Sequence, residues 1–139
     1  MILLDTNVIS ELRKISIGKA DPRVVEWDRR QQADAQFLSV IVLQELEKGT
    51  LRLERRDPKQ GFVLRTWIDG ALLPSFAGRI LPVDVPVAIM AARLQVPDPR
   101  PIADCLIAAT AIVHGLTVVT RNLADFQAFP VAIFNPWDF

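Results

Sequence analysis

Apolar residues in this chain fall in short dense runs, separated by stretches with a helical rhythm, and the alternation holds along its whole length. Met1–Leu4 is an apolar run of strand length that stops at Asp5, and a helical pattern follows from about Thr6 to Arg13. Ile17–Asp21 reads as a loop, and Pro22 suits the first position of a helix carrying Val24, Val25 and Trp27. Gln36–Ser39 is a second strand, feeding a helix through IVLQELEKG that the pattern ends near Gly49. A longer amphipathic stretch spans about Pro58 to Leu73, Arg79–Pro82 is another short strand, and Asp84 caps an Ala-rich helix through Leu94. Pro97–Pro101 is a stiff loop, Ile102–His114 a helix ended by Gly115, and Leu116–Thr120 and Val131–Phe134 the last two strands. Apolar strands alternating with helices predict an α/β domain around a parallel sheet, whose ligand sites lie beyond the carboxyl ends of the strands. Asp5 and Thr120 belong at that edge. The 139 residues read as one domain, with no internal repeat, low-complexity tract or linker.

Composition narrows the function classes. Half the residues are hydrophobic and 23% are charged, which predicts a folded chain rather than a disordered one. Sixteen basic and sixteen acidic residues cancel, so any surface that holds phosphates has to be a local patch. The single cysteine, Cys105, excludes an internal disulfide and suits a reducing compartment. No apolar run approaches the roughly 18 residues of a membrane span, and Asp5 interrupts the first run too early for a signal peptide. A cytoplasmic location and no membrane contact are expected.

The carboxylates are the informative residues. Asp5, with Thr6 and Asn7 behind it, is a good helix N-cap, and that local reading is sufficient for it alone. Asp104 is the one charge in IADCLIAATAIVHG, a segment apolar on every face and therefore predicted to be buried on most sides. A buried carboxylate needs a cation, several donors or a metal beside it, although a place near the helix start also lets the dipole stabilise it. In SVIVLQELEKG, helical spacing aligns Glu45 with Ile41 and Val42, and Glu47 with Leu43, and does not choose between them. Asp125, in TRNLADF, is either a turn residue or a member of the same group.

DTNVISEL, SVIVLQELEKG and RPIADCLIAATAIVHGLTVVTRNLADF, in that order, resemble a PIN-domain ribonuclease, and more narrowly the VapC-type toxins of toxin–antitoxin pairs. LPVDVPVA around Asp84 and the closing IFNPW extend the resemblance over nearly the whole chain. It implies a three-layer α/β/α domain with a mainly parallel sheet of about five strands. It also implies a catalytic and metal-binding set of Asp5, Glu45, Asp104 and Asp125, choosing Glu45 over Glu47. Thr6, Asn7, Thr120 and Asn122 match the polar positions that support this set. The implied partners are RNA, a small antitoxin protein that lays a helix and a tail into the toxin's groove, and a second copy of the chain.

The residue chemistry agrees with this. Converging carboxylates tolerate joint ionisation only with a divalent cation, and an all-oxygen set favours Mg²⁺ or Mn²⁺ over zinc. The expected reaction is metal-assisted in-line attack of water on a phosphodiester, expelling the 3′-oxygen to leave a 5′-phosphate and a 3′-hydroxyl. The lone His114 cannot form a histidine acid–base pair and fits a helix C-terminus. Cys105 reads as a packed thiol, and Ser39 and Ser75 have no triad partners. Arg13 and Arg121 are the candidate RNA contacts. Arg52, Arg55 and Arg56 read as a solvated face, and Trp27, Trp67 and Trp137 as packing residues. Phe62, Leu64, Trp67 and Ile68 give the 58–73 stretch apolar surface suited to a dimer or antitoxin interface. A haloacid-dehalogenase-type phosphotransferase needs a second Asp where Asn7 stands, which argues against that class. A structure-specific DNA nuclease and a catalytically inactive PIN-like binding module are the competing readings.

Overall fold

The three-residue strand Ile2–Leu4 (β1) is central because both its neighbours pair with it in parallel: Leu3 lies opposite Phe37 on one side and Val118 on the other. A computed structural model describes residues 1–139. Around β1 stand β2 (Gln36–Ser39), β3 (Ile80–Leu81), β4 (Thr117–Val119) and β5 (Ile133–Phe134), in the order β3-β2-β1-β4-β5. Every pairing is parallel. The predicted strands therefore exist, each trimmed by up to two residues at its ends. Helices cover both faces, as a parallel sheet buried on two sides requires. They are α1 (Thr6–Arg13), α2 (Pro22–Arg29), α3 (Val40–Arg56), α4 (Pro58–Trp67), α5 (Leu73–Ser75), α6 (Val85–Leu94), α7 (Ile102–His114) and α8 (Leu123–Phe126). This is the expected three-layer α/β/α architecture, with an all-parallel sheet. The core joins Leu3, Leu4, Leu38, Val118 and Val119 of the sheet to Val8, Val24, Val42, Ile107 and Phe126 of the helices.

Two expectations need correction. Gly49 does not end α3, which runs on to Arg56 and stops where Asp57 and Pro58 begin α4. One helical glycine costs about 1 kcal/mol, and tertiary contacts outweigh it. The guanidinium of Arg65 on α4 donates to Glu47 (2.7 Å) and to Glu54 (3.0 Å) on α3. Gly61 packs so closely on α3 that a Cβ there would lie 2.5 Å from Glu54 Cα. The 58–73 stretch is also not one regular helix: α4 passes through a π-helical turn, Ile68–Leu72, into α5. This turn buries Ile68 and Leu72, whereas Phe62 is 71% exposed. The expectation for α7 holds: the five successive residues Ile107–Ala111 are buried, which takes in every face of the helix, and Cys105 is buried as well. Exposure is confined to its ends, at Ile102 (71%) and at Val113 and His114.

The strand order reverses between β1 and β4, where chain segments depart to opposite sides and leave a crevice at the carboxyl edge. Asp5 and Thr120 are the first residues beyond those two strands.

Candidate active site

Asp5 is the N-cap of α1 and stands at the carboxyl edge of the sheet. Burial is its dominant condition, with only 8% of its surface exposed. One carboxylate oxygen, Oδ1, accepts the N–H of Thr6 at 2.8 Å. The other, Oδ2, accepts the Thr120 hydroxyl at 2.8 Å and the Asn7 amide at 3.3 Å. Thr120 is fully buried, and its oxygen also accepts the Asn122 N–H at 3.0 Å and the Asn7 amide at 3.3 Å. Asn7 Oδ1 in turn accepts the Arg121 N–H at 3.0 Å. Residues 5–7 and 120–122 are thus laced across the β1–β4 reversal by side chains as well as by the sheet. The Asn122 side chain makes no cap contact, so its share in this network is its backbone N–H.

The other three carboxylates arrive from separate helices. Glu45 lies in the second turn of α3, which Ser39 caps at the end of β2. Asp104 lies in the first turn of α7, and Asp125 in the first turn of α8, a helical turn rather than a loop. Burial raises the Asp5 pKa above the ordinary carboxylate range, against the opposing hydrogen bond of Thr120, and the charge of Asp125 adds to the rise. Burial likewise raises Glu45, with Asp5 and Asp104 contributing repulsion. Asp104 is raised by burial, then by Asp125 and Asp5. Asp5 and Asp104 therefore feel the whole group, with Glu45 and Asp125 as its outer members. None of the four forms an ion pair. Glu47, which helical spacing left level with Glu45, is held by Arg65 instead, and its pKa is lowered by that bond.

The donor set fits a hard divalent cation in kind. All four groups offer oxygen, none is ion-paired although the charge of Lys48 acts on Glu45, and the buried Thr6 hydroxyl has no hydrogen-bond partner. That hydroxyl faces Glu45, whose charged form it favours. The side chains do not stand close enough for three of them to form a ready-made cage, so the site is open rather than closed around a metal.

Beside the carboxylates runs a groove of about 290 Å³, where Thr6, Glu45 and Gly49 meet Arg13, Leu64 and Trp67. Arg13 thus reaches the site from α1. Arg121 lies on the other side, its guanidinium 5.1 Å from the ring centre of buried Trp137. Arg52, Arg55 and Arg56 are exposed along α3, away from this constellation, and His114 is the last residue of α7 before Gly115 turns in the left-handed region at φ 67°. Cys105 is buried in the core. Sequence reasoning missed the Arg65 clamp, because α4 and α3 come together only through the close approach at Gly61.

A family model, PIN domain, matches residues 2–130. Toxin FitB of Neisseria gonorrhoeae is 43% identical over 142 residues, covering 99% of each chain. VapC ribonuclease Y4jK of Sinorhizobium fredii is 37% identical over 143 residues, again 99% of each. Among solved structures, FitAcB from Neisseria gonorrhoeae superposes with a TM-score of 0.90 at 42% identity, covering 100% of both chains. A DNA-bound VapBC from Salmonella typhimurium superposes with a TM-score of 0.69 at 25% identity, over 98% of this chain and 99% of that one.

Proposed function

The chain belongs to the PIN-domain family and, within it, to the VapC-type toxins, and from that premise we propose that it is a metal-dependent endoribonuclease restrained by a small antitoxin protein. One observation carries this reading: four carboxylates, delivered by four separate segments, gather at one sheet edge with none of them in an ion pair. Burial and mutual repulsion raise three of them. Such a group destabilises a fold unless a ligand supplies positive charge.

Asp5 and Asp104 would hold Mg²⁺ or Mn²⁺ directly, with Glu45 and Asp125 completing the site. When bound there, the cation neutralises the carboxylates, polarises a phosphoryl oxygen and acidifies a water. The protein's own residues do the rest. Thr120, Asn7 and the Thr6 N–H fix the orientation of Asp5. Glu45, whose pKa is raised by burial, accepts the proton of the attacking water. As the new P–O bond forms, the bond to the 3′-oxygen breaks and that oxygen takes up a proton. The products are a 5′-phosphate and a 3′-hydroxyl. Arg13 and Arg121 hold phosphates on either side of the scissile one. The restraining partner lays apolar residues along the groove at Trp67 and directs an arginine at the carboxylates, which a planar guanidinium matches in pairs.

Purified protein incubated with total RNA tests the chemistry. Cleavage with Mg²⁺ or Mn²⁺, abolished by chelator and yielding 5′-phosphate ends, is the expected result. No cleavage with either cation, or undiminished cleavage in chelator, overturns it. Growth of cells expressing the protein alone, against cells that also express the neighbouring small open reading frame, tests the partner. Equal growth in both, with an active purified enzyme, removes the toxin role and leaves the nuclease.

A further inference from the structure

An acidic site repels the polyanion it cuts, so RNA has to be held by cations placed outside it. The molecule's seven ion pairs occupy Lys14, Arg23, Arg29, Arg30 and Arg65, and Arg79 is committed to backbone carbonyls. Two of the arginines left without such partners, Arg93 and Arg100, line one cavity of about 450 Å³, within the roughly 300–1,000 Å³ typical of ligand sites. Its walls are apolar: Met90 and Leu94 of α6, Pro97 of the loop, and Phe129 and Pro130 beyond α8. Asp98 is the one acidic residue on it, so the cavity carries a net positive charge beside a net negative site.

None of the four carboxylates lines the cavity, and two chain segments lead from it toward Asp104 and Asp125. Arg100 precedes Asp104 by four residues, and Phe129 packs edge-on against Phe126, the neighbour of Asp125, with ring centres 6.1 Å apart. Its loop is internally braced, since Gln95 Oε1 accepts the Arg100 N–H at 2.6 Å. We propose that this cavity is a subsite for one nucleotide of single-stranded RNA next to the scissile bond, its base lying against the apolar walls and its phosphate between Arg93 and Arg100. The proposal rests on the ribonuclease reading above and adds a place where the enzyme selects and orients its substrate. Apolar walls with paired guanidiniums suit a nucleotide, because base faces are apolar and phosphate oxygens accept from both arginines.

The test uses the full-length protein and a short single-stranded RNA. Binding is measured with Asp5→Asn as the background, to prevent cleavage. Adding Arg93→Gln and Arg100→Gln together is expected to weaken binding at least tenfold and to flatten the slope of log Kd against log salt by about 0.7, the share of the one single-strand phosphate that both arginines hold. With the active enzyme, the same pair raises KM and leaves kcat unchanged, Arg100→Lys recovers part of the affinity, and Arg52→Gln has no effect. Unchanged affinity and salt slope in the well-folded double variant overturn the subsite. So does a loss of affinity that sedimentation traces to dissociation of two copies, which would make the cavity an interface. An active wild-type enzyme whose KM ignores both arginines removes the subsite alone, whereas a wild-type enzyme that neither binds nor cuts RNA removes the ribonuclease reading with it.

Discussion

Replacing Thr120 with valine removes one hydroxyl at nearly constant shape from the centre of the site. That hydroxyl donates to the buried Asp5 carboxylate at 2.8 Å and accepts the Asn122 N–H at 3.0 Å. Asn122 is exposed and can turn to water, so the loss falls mainly on Asp5. A hydrogen bond to a buried charge contributes about 1.5–3 kcal/mol, and here the upper half of that range applies because no solvent replaces the donor. Unfolding entropy of about 2.1 cal/mol/K per residue over 139 residues is roughly 0.29 kcal/mol/K, so a loss of about 2–3 kcal/mol lowers Tm by about 7–10 °C. The loss depends on pH. Burial already raises the Asp5 pKa, and the Thr120 bond is the largest influence opposing that rise. Without it the folded-state pKa climbs further above the unfolded value, and the variant protonates first on acidification. The deficit is therefore complete at neutral pH and shrinks as the pH falls through the variant's raised pKa, since a neutral carboxyl has no charge to stabilise. Circular-dichroism melts in chelator, from neutral pH to about pH 4, measure both features. A deficit that stays constant over this range, or a Thr120→Ser variant that recovers nothing, would refute the reasoning.

Asp104→Asn is expected to reduce RNA cleavage by at least about a hundredfold. It should leave Tm in chelator unchanged or higher, since the Asp104 side chain makes no hydrogen bond and its charge is repelled by Asp125 and Asp5; a lower Tm with full activity contradicts both halves. Mg²⁺ titrated into chelator-treated protein should raise Tm, by about 2.7 kcal/mol of stabilisation at a hundred times Kd, and an equal rise in an Asp104→Asn/Asp125→Asn variant would place the cation elsewhere. Gly49→Ala and Gly61→Ala should shift Tm in opposite directions. A Cβ at Gly49 meets nothing within 4 Å and gains about 0.5–1 kcal/mol, whereas at Gly61 it lies 2.5 Å from Glu54 Cα and forces the α3–α4 hairpin apart at about 1–3 kcal/mol.

Much of this architecture is legible in the chain because the sheet's strands are short, apolar and bounded by polar residues. Asp5 interrupts an apolar run, which marks a strand end, and Asp104 interrupts another, which marks a charge that needs explaining. What spacing alone could not separate was Glu45 from Glu47, one turn-fraction apart on α3. The structure separates them through Arg65, twenty residues from Glu45 in sequence and brought to α3 by a close helix crossing. Gly49 misleads for the same reason: a local helix-breaking signal yields to packing supplied by a distant segment. The all-round apolar pattern of α7 read correctly as burial, since the exposed Ile102 and Val113 lie at its two ends and the residues between them are buried or half-buried. Arg93 and Arg100 stood in plain view, but only the packing of residues 128–130 beside α6 makes a cavity of them.

The hydrogen bond from Thr120 to Asp5 spans 115 positions of the chain. A ribosome adding about 5–20 residues per second takes roughly 6–24 s to travel from Asp5 to Asp125. For most of that interval β1 exists without β4, its neighbour at the crevice, and Asp5 has no Thr120 to hold it. Every earlier carboxylate waits on Asp125, so no nascent fragment that stops short of it carries the complete acidic set. The geometry that defines the site is thereby also a clock: the groove between α1 and α3 is already synthesised before there is a complete site to restrain.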